Sequence, residues 1–338
     1  MEKLRKIIPG FIVCFAIAMI SKVIAIFVPS LGAATFAIFL GIILGNTIFT
    51  KDFYNPGSKF SESNLLAYSV VLMGATLNLT DIASVGVNGV LFIVIQMTLT
   101  ICATYFIGRK LKFRKKFSLL MCAGNAVCGS SAIASAAPVI DGYSKDKALS
   151  ITMVNITGTI LMFVLPILSG FLYNKEVLKS SALTGGILQS VGQVIASAKF
   201  ISDEVVQMST IFKIIRIIML VAVVLVFARI NTNEDEGLFK KKAEHKEGKI
   251  KVSVPWFIIG FFILSIINSL GVIPMPVAKS AKFISGQFEI IALAAIGMRV
   301  KFKDLKEEGA MSLLYGCLVG LFQIIIAMLL IKILGIGM

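Results

Sequence analysis

The chain has 338 residues, of which 57% are hydrophobic and 15% charged, and its mean hydropathy is +0.92. These values exclude an ordinary soluble domain, in which about half of the residues are apolar and about a quarter are charged. Apolar runs of about 17 to 25 residues, long enough to cross a hydrocarbon core of about 30 Å as a helix, recur along the chain. Composition therefore predicts an all-α polytopic membrane protein.

The hydropathy pattern predicts about 10 to 11 transmembrane helices in a single membrane domain over residues 1–338. In chain order the predicted spans are 7–28, 34–49, 65–79, 87–107, 119–140, 148–172, 183–200, 208–227, 254–270, 283–298 and 311–334. The span 183–200 is the weakest because it contains several Gly and Gln residues. We expect it to be re-entrant or broken.

The net charge of +15 is distributed according to topology. If the N-terminus is cytoplasmic, 24 of the 33 Lys and Arg residues fall in the N-terminal tail and the cytoplasmic loops, as the positive-inside rule expects. These loops are 51–64, 108–117, 173–181, the charged loop 228–253, and 299–309. The charge is therefore an orientation signal rather than the footprint of a nucleic-acid partner, and none is expected.

Two stretches of the chain resemble each other. Residues 73–86 read MGATLNLTDIASVG and residues 296–309 read IGMRVKFKDLKEEG, with two Gly and one Asp in matching positions. The charges of the following loops orient the two copies oppositely across the membrane. Segments 34–107 and 254–334 are therefore predicted to form an inverted-topology repeat, which is common in secondary transporters. The alternative is a coincidence between two helix ends.

The stretch AGNAVCGSSAIASAAP, residues 123–138, places small and polar residues in the middle of a predicted span. One interpretation is a close crossing of two helices through small residues. A discontinuous helix fits better, because Gly, Asn and Ser at mid-span weaken a helix and offer competing hydrogen bonds. The free N–H groups of a second half-helix starting near Ser130 would then favour an anion. The candidate binding residues are Asn125, Cys128, Gly129, Ser130 and Ser131.

A second polar span, TGGILQSVGQVIAS, is the predicted partner of the first, so that two discontinuous helices cross. Its Gln189 and Gln193 are four residues apart and are expected to share one helix face. The next span carries Lys213 and Arg216, three residues apart, and charges inside a membrane are functional by default. Their sign indicates a small anionic substrate, since Arg can bind a sulfonate, sulfate or carboxylate with two hydrogen bonds.

A structural ion pair is the alternative for these cations, with Glu289 as the partner of one of them. Glu289 and Asn155 are also the candidates for coupling transport to an ion. Proton coupling would use Glu289, whereas hydroxyl and carbonyl oxygens around Ser130 and Thr157 could coordinate Na⁺. Uniport stays equally open, because an anion leaving a cell that is negative inside gains about 2.3 kcal/mol per charge per 100 mV.

The stretches CAGNAVCGSSAIASAAPVI, GGILQSVGQVIASA, KIIR and AAIGMRVKF together resemble the YeiH-type sulfate exporter family of bacterial inner-membrane proteins. The resemblance covers nearly the whole chain. It implies inverted repeats, crossed broken helices akin to those of bile-acid transporters and sodium/proton antiporters, and export of sulfate or organosulfonates. It also implies a multi-pass protein of the bacterial cytoplasmic membrane.

Residue by residue, the family's signature segment falls on Asn125 and residues 128–131, its glutamine on Gln193, and its basic pair on Lys213 and Arg216. One position departs from the family. Where relatives typically have a His followed by an acidic residue, this chain has Gln189 and Ser190. The departure puts any proton coupling through that pair in question.

The sequence therefore predicts a secondary transporter, an exporter of a small inorganic or organic anion, that works by alternating access. The alternatives are an anion channel and a Na⁺- or H⁺-coupled importer of a small organic anion. We expect no enzyme, because the chain lacks HExxH, GxSxG and paired carboxylates. Neither a cofactor nor a resident metal is expected, and the expected partners are the substrate, the lipid bilayer and a second copy in a homodimer.

Overall fold

A computed structural model describes residues 2–27, 32–77, 85–140, 142–234, 238, 255–300 and 310–337, and all regular elements within these ranges are helical. The all-α prediction is confirmed. In these described ranges, six helices are long and apolar enough to cross a membrane, namely Arg5–Phe27, Gly86–Lys110, Leu149–Tyr173, Asp203–Arg229, Met275–Arg299 and Ala310–Ile333. Two shorter apolar helices are Ala33–Thr47 and Trp256–Ser269.

The helices are numbered here in chain order. They are α1 Glu2–Phe27, α2 Gly32–Thr47, α3 Asn55–Phe60, α4 Leu66–Gly74, α5 Gly86–Lys110, α6 Lys115–Ala126, α7 Ser130–Ala136, α8 Ser144–Tyr173, α9 Val177–Ile187, α10 Val191–Lys199, α11 Asp203–Ile218, α12 Leu220–Arg229, α13 Trp256–Ser269, α14 Met275–Arg299 and α15 Ala310–Ile333. A 3₁₀ turn, Asp52–Tyr54, precedes α3, and a π-helical turn, Ser61–Leu65, joins α3 to α4.

The first of two compact units comprises residues 1–84 and 255–305, and thus α1 to α4, α13 and α14. Its centre is the packing of α14 against α2 and α4. Helices α2 and α14 approach closely where Gly41 of one lies opposite Gly297 of the other. The Ser285 hydroxyl donates to the Ser69 carbonyl at 2.9 Å and ties α14 to α4.

The second unit comprises residues 85–254 and 306–338, and thus α5 to α12 and α15. Helix α11 packs against both α9 and α10, while α8 contacts α6, α9, α10 and α15. The buried core of this unit includes many small or polar side chains, among them Thr184, Ser197 and Ser209. Short side chains let the helix backbones come close together, as in other membrane bundles.

Two predicted spans are split into pairs of short helices. The predicted span 119–140 corresponds to α6 and α7, and the predicted span 183–200 corresponds to α10 and the end of α9. A similar but smaller interruption occurs at Met219, between α11 and α12. The expected discontinuities are therefore confirmed.

Both predicted repeat segments, 34–107 and 254–334, contribute helices to both units. Much of the matching sequence lies outside the described residues, at 78–84 and 301–309. The charged loop 228–253 is described only as far as residue 234 and at residue 238. The repeat relation stays a prediction.

Replacing Gly297 by Ala should destabilise the protein, whereas Gly286→Ala in the same helix should not. A Cβ on Gly297 would collide with the Ile38 carbonyl and lie 3.0 Å from the Gly41 Cα, but a Cβ on Gly286 would meet no atom within 4 Å. Overpacking of this kind costs about 1–3 kcal/mol, whereas Ala in an open helix position gains up to about 1 kcal/mol over Gly. Thermal unfolding in detergent measures both. Equal melting temperatures of the two variants would contradict the close contact of α2 with α14.

Candidate functional site

Two helices of the second unit are broken inside the protein. Helix α6 ends at Ala126 and α7 begins at Ser130, with Gly129 at φ +68° between them. This positive φ is accessible to Gly at little cost and is unfavourable for most other residues. Helix α9 ends at Ile187 and α10 begins at Val191. The first break starts at Val127, and Asn125 still belongs to the last turn of α6.

The two breaks contact each other. The Gln189 side chain, in the second break, donates from Nε2 to the Asn125 Oδ1 at 3.2 Å. Lys213 Nζ donates to the Val127 carbonyl at 2.5 Å and to the Leu188 carbonyl at 2.9 Å, so that one ammonium joins both broken helices. The predicted pairing of the two polar spans is therefore present in the structure.

Arg216 completes this arrangement from the next turn of α11. Its Nε donates to the Ala126 carbonyl at 2.5 Å and its Nη1 to the Leu188 carbonyl at 2.7 Å. Its Nη2 donates to the Asn125 carbonyl. The last carbonyls of a helix have no partner within that helix and must find donors elsewhere. Here the cations provide those donors at the C-terminal ends of α6 and α9.

Both cations are fully enclosed, with Lys213 0% and Arg216 1% exposed. Throughout the described ranges, neither forms an ion pair with an Asp or Glu side chain. All of their hydrogen bonds go to main-chain carbonyls of their own unit. Glu289, the predicted alternative partner, is buried on α14 in the first unit.

The two predicted glutamines lie close together, but they do not share a helix face. Gln189 precedes α10, while Gln193 is in its first turn and forms a capping box with Ser190. Because Gln189 lies in the break between α9 and α10, helical periodicity does not set their arrangement. A Cβ added to Gly158 of α8 would lie 2.5 Å from Gln189 Oε1 and 2.5 Å from Gln193 Nε2, so only Gly leaves room for both amides. Gln189 Oε1 is buried and accepts no hydrogen bond from any described residue.

The other predicted residues line the same region with differing exposure. Cys128 and Gly129 are buried, whereas the Ser130 and Ser131 side chains are exposed at the start of α7. Asn155 has an exposed side chain, and its carbonyl accepts from Gln193 Nε2 at 3.2 Å. No group of three or more His, Cys, Asp or Glu side chains that could hold a metal ion occurs in the part of the chain that the structure describes.

Two further glutamines belong to this site and were missed in the sequence. Gln323 of α15 donates from Nε2 to the Asn125 carbonyl at 3.1 Å, and Gln96 of α5 donates to the Gln323 carbonyl at 2.9 Å. Both side chains are buried, and neither Oε1 atom accepts a hydrogen bond within the described part of the chain. Each stands alone in an apolar span, and a polar residue in such a span is itself a signal of function.

Comparison with known protein families gives a match over residues 9–316 to the model described as conserved hypothetical protein 698. The UPF0324 membrane protein CPE0129 of Clostridium perfringens is 59% identical over 98% of both chains. The UPF0324 membrane protein of Lactiplantibacillus plantarum is 48% identical over 98% of this chain and 99% of its own. YdhF of Lactococcus lactis, also named a UPF0324 membrane protein, is 43% identical over 97% and 99%.

Removing the Arg216 guanidinium should destabilise the protein more than removing the Lys213 ammonium. Arg216→Met removes three hydrogen bonds and leaves the Ala126 carbonyl without a donor, while Asn125 keeps its bond from Gln323 and Leu188 its bond from Lys213. Lys213→Met removes two hydrogen bonds and leaves only the Val127 carbonyl without a donor, because Leu188 keeps its bond from Arg216. An unsatisfied buried acceptor costs about 1–3 kcal/mol. Thermal unfolding in detergent measures the difference, with the exposed Lys332→Met as control. Wild-type melting of Arg216→Met would show that the carbonyls do not depend on this side chain.

Proposed function

We propose a transport function on the premise that this chain belongs to the conserved hypothetical protein 698 family, whose relatives are named UPF0324 membrane proteins. This family includes the YeiH-like proteins, so the resemblance inferred from the sequence is confirmed. The protein is a multi-pass membrane protein. Our proposal is that it is a secondary transporter that exports a small anion, such as sulfate or an organosulfonate, across the bacterial cytoplasmic membrane with its N-terminus inside.

The observation that carries this proposal is the pair of enclosed cations where the two broken helices meet. Each helix C-terminus carries roughly half a negative charge. The ends of α6 and α9 together therefore offset about one of the two positive charges of Lys213 and Arg216. About one positive charge is left in a buried site that has no carboxylate ion pair within the described residues. An anion that enters the site would neutralise this remaining positive charge.

Donors remain available for such an anion. An Arg side chain has five N–H donors and a Lys ammonium has three. The hydrogen bonds described above use three of the Arg216 donors and two of the Lys213 donors. Small movements of the breaks would expose the remaining donors, and the hydroxyls of Ser130 and Ser131 stand at the end of the first break. Sulfate and sulfonate oxygens accept several hydrogen bonds at once, which suits this set.

The broken helices also favour an alternating-access mechanism rather than a permanently open pore. Half-helices at membrane depth, held by side chains rather than by continuous backbone hydrogen bonds, are typical of transporters whose repeats rock around a central site. Glu289 and Asn155 stay candidates for coupling to H⁺ or Na⁺, beside uniport driven by the membrane potential. The lack of an acidic residue at position 190 favours uniport or Na⁺ coupling over a proton carrier at that break.

Filling the space at Gly158 should reduce anion transport, because a Cβ there would displace the amides of Gln189 and Gln193. The experiment compares efflux of radiolabelled sulfate and taurine from proteoliposomes at fixed membrane potentials. We expect Gly158→Ala to lower the saturable flux at least about fivefold, corresponding to an overpacking cost of about 1–3 kcal/mol. Lys213→Gln combined with Arg216→Gln should abolish it.

Gly170→Ala in the same helix is the matched control, because its Cβ would approach only the Lys175 Cε, at 4.0 Å. This variant should transport like the wild type, and circular dichroism and thermal unfolding confirm that each variant is folded. Wild-type flux in Gly158→Ala and in the double variant would remove the site from the transport path. Unitary conductance steps in a planar bilayer would show that the protein is an anion channel and not a carrier.

A further inference from the structure

An apolar groove runs along the second unit. It encloses about 690 Å³ between α5, α6 and α12. On α5 its lining side chains recur every four residues, and those of α12 face them. The residues used below are Val94, Thr98, Cys102 and Phe106 on α5, and Ala222 and Val226 on α12.

The length of this groove matches one leaflet of a bilayer. Val94 and Phe106 are twelve residues apart, which corresponds to about 18 Å of helix. Half of a hydrocarbon core of about 30 Å is about 15 Å. Cys102, Phe106, Ala222 and Val226 are all exposed in the groove or at its rim. A single acyl chain therefore fits its length and its chemistry.

One end of the groove carries a cluster of positive charges. Helix α5 ends at Lys110, one turn beyond Phe106, and the following turn contains Lys112 and Arg114, the first of them at φ +65°. The side chains of Lys110, Lys112 and Arg114 are exposed, and within the described ranges none of the three forms an ion pair. They form what we call the basic turn.

The neighbouring cations of this turn are already engaged. Glu234 accepts from the Arg109 guanidinium and from the Lys115 main-chain N–H, the latter at 2.9 Å, and Lys115 Nζ donates to the Asn233 carbonyl at 2.9 Å. Although partial burial acts to raise the pKa of Glu234, these hydrogen bonds lower it below its ordinary value. The hydrogen bonds of Arg109 and Lys115 hold the turn that joins α5 to α6 in place. Lys110, Lys112 and Arg114 remain exposed.

We infer that the groove and the basic turn together bind one anionic phospholipid, with an acyl chain between α5 and α12 and the phosphate at Lys110, Lys112 and Arg114. Lys and Arg near a membrane surface attract anionic lipid headgroups, and three of them favour an anionic over a zwitterionic lipid. A second copy of the chain fits less well, because its net charge is +15 and a symmetric contact would bring two basic turns together. This lipid site is independent of the transported substrate.

Native mass spectrometry of the full-length protein tests this inference, with phosphatidylglycerol and phosphatidylcholine of identical acyl chains as probes. We expect the wild type to retain phosphatidylglycerol at least about tenfold better. The variant Lys110→Gln, Lys112→Gln, Arg114→Gln should bind both lipids equally. Ala222→Phe, which fills the groove, should lower phosphatidylglycerol retention by about tenfold.

The control removes three exposed Lys side chains elsewhere, as Lys51→Gln, Lys279→Gln, Lys282→Gln, and should keep the wild-type preference. Thermal unfolding shows that each variant is folded. An equal loss in the control, or a wild-type preference in the basic-turn variant, would overturn the inference. A dimer that Ala222→Phe dissociates, without retained lipid in the wild type, would assign the groove to a second copy instead.

Discussion

The structure of the second unit depends on how it satisfies the main-chain carbonyls where two helices stop inside the protein. An unpaired backbone carbonyl in an apolar interior is costly, and a hydrocarbon environment supplies no water to pair with it. The ends of α6 and α9 place such carbonyls at Asn125, Ala126, Val127 and Leu188. Lys213 and Arg216 donate hydrogen bonds to all four carbonyls, and the Leu188 carbonyl accepts from both.

This solution creates a second problem, which is electrostatic. Two enclosed cations are needed to supply enough donors with the right reach, yet two helix C-termini offset only about one unit of charge. A purely structural device could have used neutral donors such as Asn or Gln at lower desolvation cost. The excess positive charge is the feature on which the proposed anionic ligand rests.

The glutamine side chains around the breaks are also incompletely hydrogen-bonded. Among the residues that the structure describes, Gln96, Gln189 and Gln323 each donate a hydrogen bond in this network, while their buried Oε1 atoms accept none. Buried polar groups are usually satisfied, so each of these three oxygens calls for an explanation. The unsatisfied oxygens and the unused donors of the cations lie around one crossing. Under the proposed function, the unused donors would bind the anion.

The amino-acid sequence by itself determined the membrane class, the helical fold and the two spans in which the breaks lie, because these follow from hydropathy and from the local weakness of Gly, Asn and Ser in a helix. It also identified Lys213 and Arg216, since a charge in an apolar span is rare enough to stand out. Tertiary structure alone decided what those charges contact. Local periodicity suggested that Gln189 and Gln193 share a helix face, but the helix begins only at Val191, so Gln189 lies in the break before it.

The roles of Gly158, Gln96 and Gln323 likewise appear only in three dimensions, because each acts on residues more than 30 positions away in the chain. A sequence states which groups are polar and how strongly a segment prefers a helix. It does not state which distant carbonyl will lack a donor after the helices pack. That is settled by the crossing of α6–α7 with α9–α10, and therefore by tertiary packing.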